Sequence, residues 1–371
     1  MRCTIGQIVS YFSWSRLIIR GNFKVPLIIG VVFIHTYGIG GGPGLVSTQM
    51  HTSLFYISNQ LFSQIIGRIA VPLFFLMSGY LFFLNTDFDF SVYKKKLKSR
   101  FYSLLIPYLF WNAAFIFIYF LVNRIPYVSS YFQNAADYNF SYFIDCFWGK
   151  DNGSGYAYPI VYPFWFIRDL MLVILFTPLL FYFLKHTRVI GLVILGLCWY
   201  LNLTIPYIEG YGFSSVAWFF FSLGAYFSIN KKNLINEFST NCNYIYLIYF
   251  TIAIIDLVTI NSNIHIYIHN LGILFGVICC FKISAYLIDK QKVKCSSFLS
   301  QASFFIFAVH EPWILDTTRK LIYKFVDFSS DLKMTLIYYA EVIITVCISL
   351  LLYYFLKKTI PRFTSIISGG R

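Results

Sequence analysis

Residues 336–356 read LIYYAEVIITVCISLLLYYFL, and residues 104–122 read LLIPYLFWNAAFIFIYFLV. Each is an apolar run of about 20 residues, the length that carries an α-helix across a roughly 30 Å hydrocarbon core. Neither alternates apolar and polar positions as a membrane β-strand does. Comparable runs cover 25–41, 62–84, 163–184, 189–205, 214–229, 243–260, 268–288 and 298–316. The expectation is an all-α polytopic integral membrane protein with about ten transmembrane helices.

Composition agrees. Apolar residues make up 58% of the chain and charged residues only 12%, against roughly 25% charged in soluble domains. Mean hydropathy is +0.68. A formal net charge of +14 invites a nucleic-acid reading, but the basic residues lie in short inter-span segments and not on one surface. Anionic headgroups and the positive-inside rule explain them more simply. With the N-terminus inside, twenty Lys and Arg fall on inner segments and six on outer ones. Both termini are therefore expected to be cytoplasmic.

Residues 1–22 carry Arg2, Arg16 and Arg20 with no small-residue cleavage site after the apolar run that follows, so no cleaved signal peptide is expected. They read as a cytoplasmic segment suited to an interfacial amphipathic helix. Residues 23–358 form the transmembrane domain, and 359–371 a cytoplasmic tail. Within the domain, the extracytoplasmic segment 123–162 is unusually long. It interleaves DNGSGYAYP with Tyr127, Tyr131, Tyr138, Tyr142, Tyr156, Tyr158 and Tyr162. Such rings suit sugar faces, and equally a membrane-interface belt. The eight cysteines are scattered without a CxxC pair, which suggests neither a zinc site nor a disulfide framework. No metal is expected.

Ionisable groups inside apolar runs mark function by default, because each is costly to insert. His35, Arg68, Arg168 and His310 are such groups, with Trp165, Asp169 and Glu311 beside them. Threaded through a bilayer, all lie in the outer half, where they can converge in one polar pocket. Asp256 and Glu341 lie at comparable depth and either join it or sit at helix ends in water, the simpler reading. Arg168 and Asp169 either join it too or neutralise each other locally. A histidine can take a proton from a hydroxyl, a carboxylate can orient it, and an arginine can hold an oxyanion. HExxH, P-loop and nucleophile-elbow patterns are absent from the sequence. The set suits hydroxyl activation.

Five segments carry a resemblance. They are PLIIGVVFIHTYG (26–38), RIAVPLFFLMSGYLFF (68–83), KKKLKSRFYSLLIPYLFW (94–111), FWFIRDLMLVIL (164–175) and SFFIFAVHEPW (303–313). In this order they resemble the acyltransferase-3 family of membrane O-acyltransferases over most of the chain. The resemblance implies transfer of acetyl or another short acyl group from cytoplasmic acyl-CoA to a sugar hydroxyl outside. It implies a catalytic role for His35, with Arg68, Arg168 and His310 in the same machinery and Trp165 in the WF-x-R motif. Lys98 and Arg100 match the basic inner motif. Lys24 stands where the family often has Arg, with ten residues between it and the histidine, keeping the charge but losing the bidentate fork.

The reading is an O-acyltransferase with acetyl-CoA or another acyl-CoA as co-substrate and no bound cofactor. Lys24, Lys96, Lys98 and Arg100 would meet CoA phosphates, and Trp165, Asp169 and Glu311 the acceptor. The acceptor would be a cell-surface polysaccharide or lipid-linked glycan. The family's usual setting implies a bacterial inner membrane. A transporter or flippase for a glycan or organic anion is the alternative, with the same pocket as its binding site.

Overall fold

The computed structural model describes residues 24–37, 53–85, 87–122, 140–151, 157–203, 209–234, 237, 244–289, 296–326 and 330–370. In chain order the helices are α1 (Lys24–His35), α2 (Leu54–Phe83), α3 (Phe90–Arg100), α4 (Ile106–Val122), α5 (Phe140–Trp148), α6 (Trp165–Leu175) and α7 (Thr177–Thr187). They continue with α8 (Val189–Tyr200), α9 (Ser215–Ile229), α10 (Tyr244–Thr259), α11 (His265–Asp289) and α12 (Ser297–Val309). The last are α13 (Leu315–Phe325), α14 (Asp331–Thr359) and α15 (Pro361–Ile367). A two-residue antiparallel pairing of Lys150–Asp151 with Ala157–Tyr158 is the one departure from helix and loop among the described residues. The N-terminal segment 1–22 lies outside them, as do Tyr127, Tyr131, Tyr138 and Tyr156 of the long segment.

Every one of the ten apolar runs carries helix. Among the described residues, four helices are long and apolar enough to cross a membrane: Leu54–Phe83, Phe90–Ile118, His265–Leu287 and Asp331–Thr359. The run at 163–184 is broken into α6 and α7, bent by 66°. Pro178 explains the break, since it has no N–H for the Ile174 carbonyl and its ring clashes there. Thr177 Oγ1 takes that carbonyl instead, at 2.7 Å. α1, α8, α9 and α10 are shorter apolar helices. Large apolar side chains face outward along α4, α8 and α14, among them Phe117, Ile190, Ile194, Ile343 and Leu351. Such extensive apolar exposure has one comfortable solvent, lipid. The protein is an integral membrane protein.

The chain divides into two compact units, Met1–Asn85 with Phe220–Tyr353 and Thr86–Phe219 with Tyr354–Arg371. In the first, α1 packs against α2 and α12, and α2 packs against α10 and α11. Membrane helices gain little from mutual apolar burial and associate through close backbone approach. Glycines supply it here. A Cβ on Gly67 would lie 2.9 Å from the Gly30 carbonyl oxygen. At the crossing of α2 with α9, a Cβ on Gly79 would run into the Phe221 carbonyl and one on Gly224 into the Leu76 carbonyl. Gly224→Leu is therefore expected to destabilise the fold by about 1–3 kcal/mol or more. It should lower the melting midpoint and the yield of monodisperse protein. Gly30→Ala, whose Cβ would meet its nearest atoms at 3.6 Å, should leave both near wild type. Equal behaviour of the two variants would refute the packing argument.

In the second unit, polar groups in apolar helices are satisfied across elements. Buried Asn112 donates from Nδ2 to the Tyr108 carbonyl at 2.8 Å, and its Oδ1 accepts the Val161 N–H at 3.2 Å. Trp111 Nε1 donates to the Ile367 carbonyl at 3.0 Å, and Tyr93 OH to the Leu175 carbonyl at 2.9 Å. The rings of Tyr158 and Tyr162, from the end of the long segment, meet edge to face at 4.7 Å.

Candidate active site

α1 ends on His35, and Thr36 turns its hydroxyl back to the Phe33 carbonyl at 2.8 Å. α12 reaches the same place from another direction. It stops at Val309, and Glu311 adopts an extended conformation (φ −140°, ψ 139°) before Pro312, which has no N–H to continue the ladder. The break brings His310 and Glu311 onto one residue of α1. Adjacent residues on an unbroken helix would point about 100° apart.

Glu311 Oε2 pairs with His35 Nδ1, and the His35 and His310 rings lie edge to face at 5.1 Å. His310 is fully buried, whereas the side chains of His35 and Glu311 retain 11% and 20% exposure. The reachable groups are therefore the imidazole of His35 and its carboxylate. His310 Nδ1 lies 2.7 Å from the Phe307 carbonyl, which can only accept, so the proton is on Nδ1. Its Nε2 is a buried acceptor without a hydrogen-bond partner.

Behind this pair stands a residue that the sequence did not single out. Arg319, on α13, donates from Nη2 to the His35 carbonyl at 3.0 Å. Its Nε lies 3.6 Å from Glu341 Oε2, and its Nη1 3.9 Å from Asp316 Oδ1. Glu341, on α14, is fully buried. The simpler reading of Glu341 and Asp256 as helix-end residues in water is corrected, because Asp256 too is only 1% exposed. Arg319 is one of the six basic residues that the sequence places on outer segments. The signal that could have found it is Glu341 itself, a lone carboxylate within 336–356 that requires a cation.

The remaining expected site residues are placed as follows. Arg68 is exposed, and both Nε and Nη2 donate to Gln64 Oε1, one turn earlier on its own helix, at 3.1 and 2.8 Å. Lys24 is half-buried at the start of α1. In the second unit, Arg168 and Asp169 are 2% and 1% exposed and paired, with Nε and Nη2 each 3.0 Å from Oδ1. Arg168 Nη1 also donates to the Trp148 carbonyl at 2.7 Å. Gly212, at φ +118°, packs beside this pair. Trp165 opens α6, half-buried. On α3, Lys96 and Arg100 share a partly buried face, and Lys98 is exposed.

Among the described residues, two groups of donors are spaced to hold a metal ion, each with its ligand atoms within 4.8 Å of one another. They are His35 with His310 and Glu311, and Asp256 with His265 and His269. Sequence reading expected no metal and passed over the second, although His265 and His269 stand four apart on one helix face.

The family described as an acyltransferase domain matches residues 22–354. A relative from Rhizobium meliloti, the succinoglycan biosynthesis protein ExoH, is 25% identical over 360 residues, covering 94% of this chain and 90% of its own length. No solved structure matches the chain. The protein is an acyltransferase, and the chain belongs to the acyltransferase-3 family.

Proposed function

We propose that the protein transfers a short acyl group, acetyl in the first instance, from an acyl-CoA to a hydroxyl of a polysaccharide or lipid-linked glycan. The observation that carries the reading is the partly exposed His35 imidazole held by the Glu311 carboxylate. That carboxylate accepts the Nδ1 proton and leaves Nε2 as the basic ring nitrogen. Nε2 removes the proton of the sugar hydroxyl as its oxygen attacks the thioester carbonyl carbon. The C–S bond then breaks, and the imidazolium returns the proton to the departing CoA thiolate. His310 packs against the base and serves as a second positioning group. Arg68, in the same unit as His35, is the candidate for holding the oxyanion or the acceptor.

The acceptor class is supported by the relative, a succinoglycan biosynthesis protein. The donor class is supported by the basic helix α3, where Lys96, Lys98 and Arg100 are proposed to meet CoA phosphates. In this scheme both termini and α3 face the cytoplasm, and the acceptor arrives from outside through an inner membrane.

The test is turnover of acetyl-CoA by the purified protein in nanodiscs, with and without an acidic exopolysaccharide oligosaccharide. Release of CoA that rises with acceptor, together with an acylated sugar, is the expected result. Failure of acetyl-, propionyl- and succinyl-CoA to turn over, with or without the oligosaccharide, would overturn the acyl-CoA donor. A stoichiometric burst of CoA without acceptor, with the acyl mass on the His35 peptide, would replace the general base by an acyl-histidine intermediate.

A further inference from the structure

α10 and α11 pack closely, and their facing ends carry a cluster that the proposed chemistry does not use. Asp256 lies one turn before the end of α10, and His265 and His269 occupy the first two turns of α11. His265 Nδ1 is 3.1 Å from Asp256 Oδ1, and His269 Nδ1 is 2.9 Å from Oδ2. The two rings lie 5.6 Å apart at 33°. Asp256 is almost wholly buried, whereas the imidazole side chains keep 32% and 17% exposure. Two imidazole nitrogens thus converge on the two oxygens of one buried carboxylate, and all three residues offer ligand atoms within 4.8 Å of one another.

The geometry points to a divalent transition-metal site, zinc in the first instance, formed by Asp256, His265 and His269. Bonds of about 2.0–2.1 Å in a tetrahedral site set ligand atoms roughly 3.3 Å apart. The two histidine–carboxylate separations are close to that edge. Two imidazoles and one carboxylate favour zinc, cobalt or nickel over magnesium or calcium. Three protein ligands leave one position for water, and the exposed ring edges provide the entry path. Gly272 faces the carboxylate from α11, where a Cβ would lie 3.9 Å from Oδ2 and 3.4 Å from Ile252. The ion would clamp α10 to α11.

The test uses the full-length protein in detergent, stripped of metal and titrated with Co2+ and then Zn2+. The expected result is one Co2+ per chain with the absorption bands of a four-coordinate ion, displaced by Zn2+, and a raised melting midpoint. His269→Gln and Asp256→Asn should each weaken binding by more than about 100-fold, beyond what loss of a mere supporting partner costs. His265→Asn provides a third reading should either variant fail to fold. His310→Gln, in the other donor group, should leave binding intact. Absence of Co2+ binding by the wild type overturns the assignment. So does binding that survives His269→Gln and disappears with His310→Gln, because the ion then belongs to the His35 cluster.

Discussion

His35→Ala is expected to lower acyl transfer by about 10²–10⁴-fold, the range that a positioned general base contributes, with the protein still inserted and folded. The side chain ends α1 and is partly exposed, so truncation removes the base without opening a large core cavity. The loss should fall on kcat, because the hydroxyl proton moves only as the transition state forms. Glu311→Gln should cost less than His35→Ala. Its amide oxygen can still accept the Nδ1 proton, but the negative charge that stabilises the developing imidazolium is gone. The check is single-turnover transfer by purified variants matched for melting midpoint. Wild-type transfer by His35→Ala would remove His35 from the chemistry. An unchanged rate for Glu311→Gln would reduce the pair to a structural contact.

The membrane fold was legible because long apolar runs have few other solutions, and 104–122 and 336–356 appear as helix where the hydropathy put them. His35 and His310 were legible as well, since an imidazole inside such a run stands out by its insertion cost. What the sequence hid was geometry. His310 and Glu311 are neighbours, and helical spacing would send them to different faces. Only the extended backbone at Glu311 directs its carboxylate to His35. Arg319 reaches the His35 carbonyl across 284 residues of sequence, and no local pattern announces such a contact. Arg68 illustrates the opposite limit. Its place on an apolar helix was readable, but its partner was not: the guanidinium donates to Gln64, one turn earlier on the same helix.

Arg319→Met should be the most damaging change to stability, at about 3–5 kcal/mol, because it strips the cation from a fully buried Glu341. The wild-type contact at 3.6 Å is loose for a salt bridge, but the penalty comes from abandoning a carboxylate in an apolar setting and not from losing a perfect pair. Adding Glu341→Gln removes that charge, so the double variant should recover most of the melting midpoint. It should not recover transfer. Arg319 also donates to the His35 carbonyl at 3.0 Å, and without that bond the end of α1 is free to shift its imidazole. Arg319→Lys makes the complementary point, because one ammonium cannot reproduce a fork that meets three separate oxygens. It should keep more stability than Met while still lowering kcat. Melting midpoints and transfer rates for the two single variants and the double variant separate the two roles. Should the double variant regain both stability and transfer, Arg319 only neutralises Glu341, and the hold on His35 plays no part in catalysis.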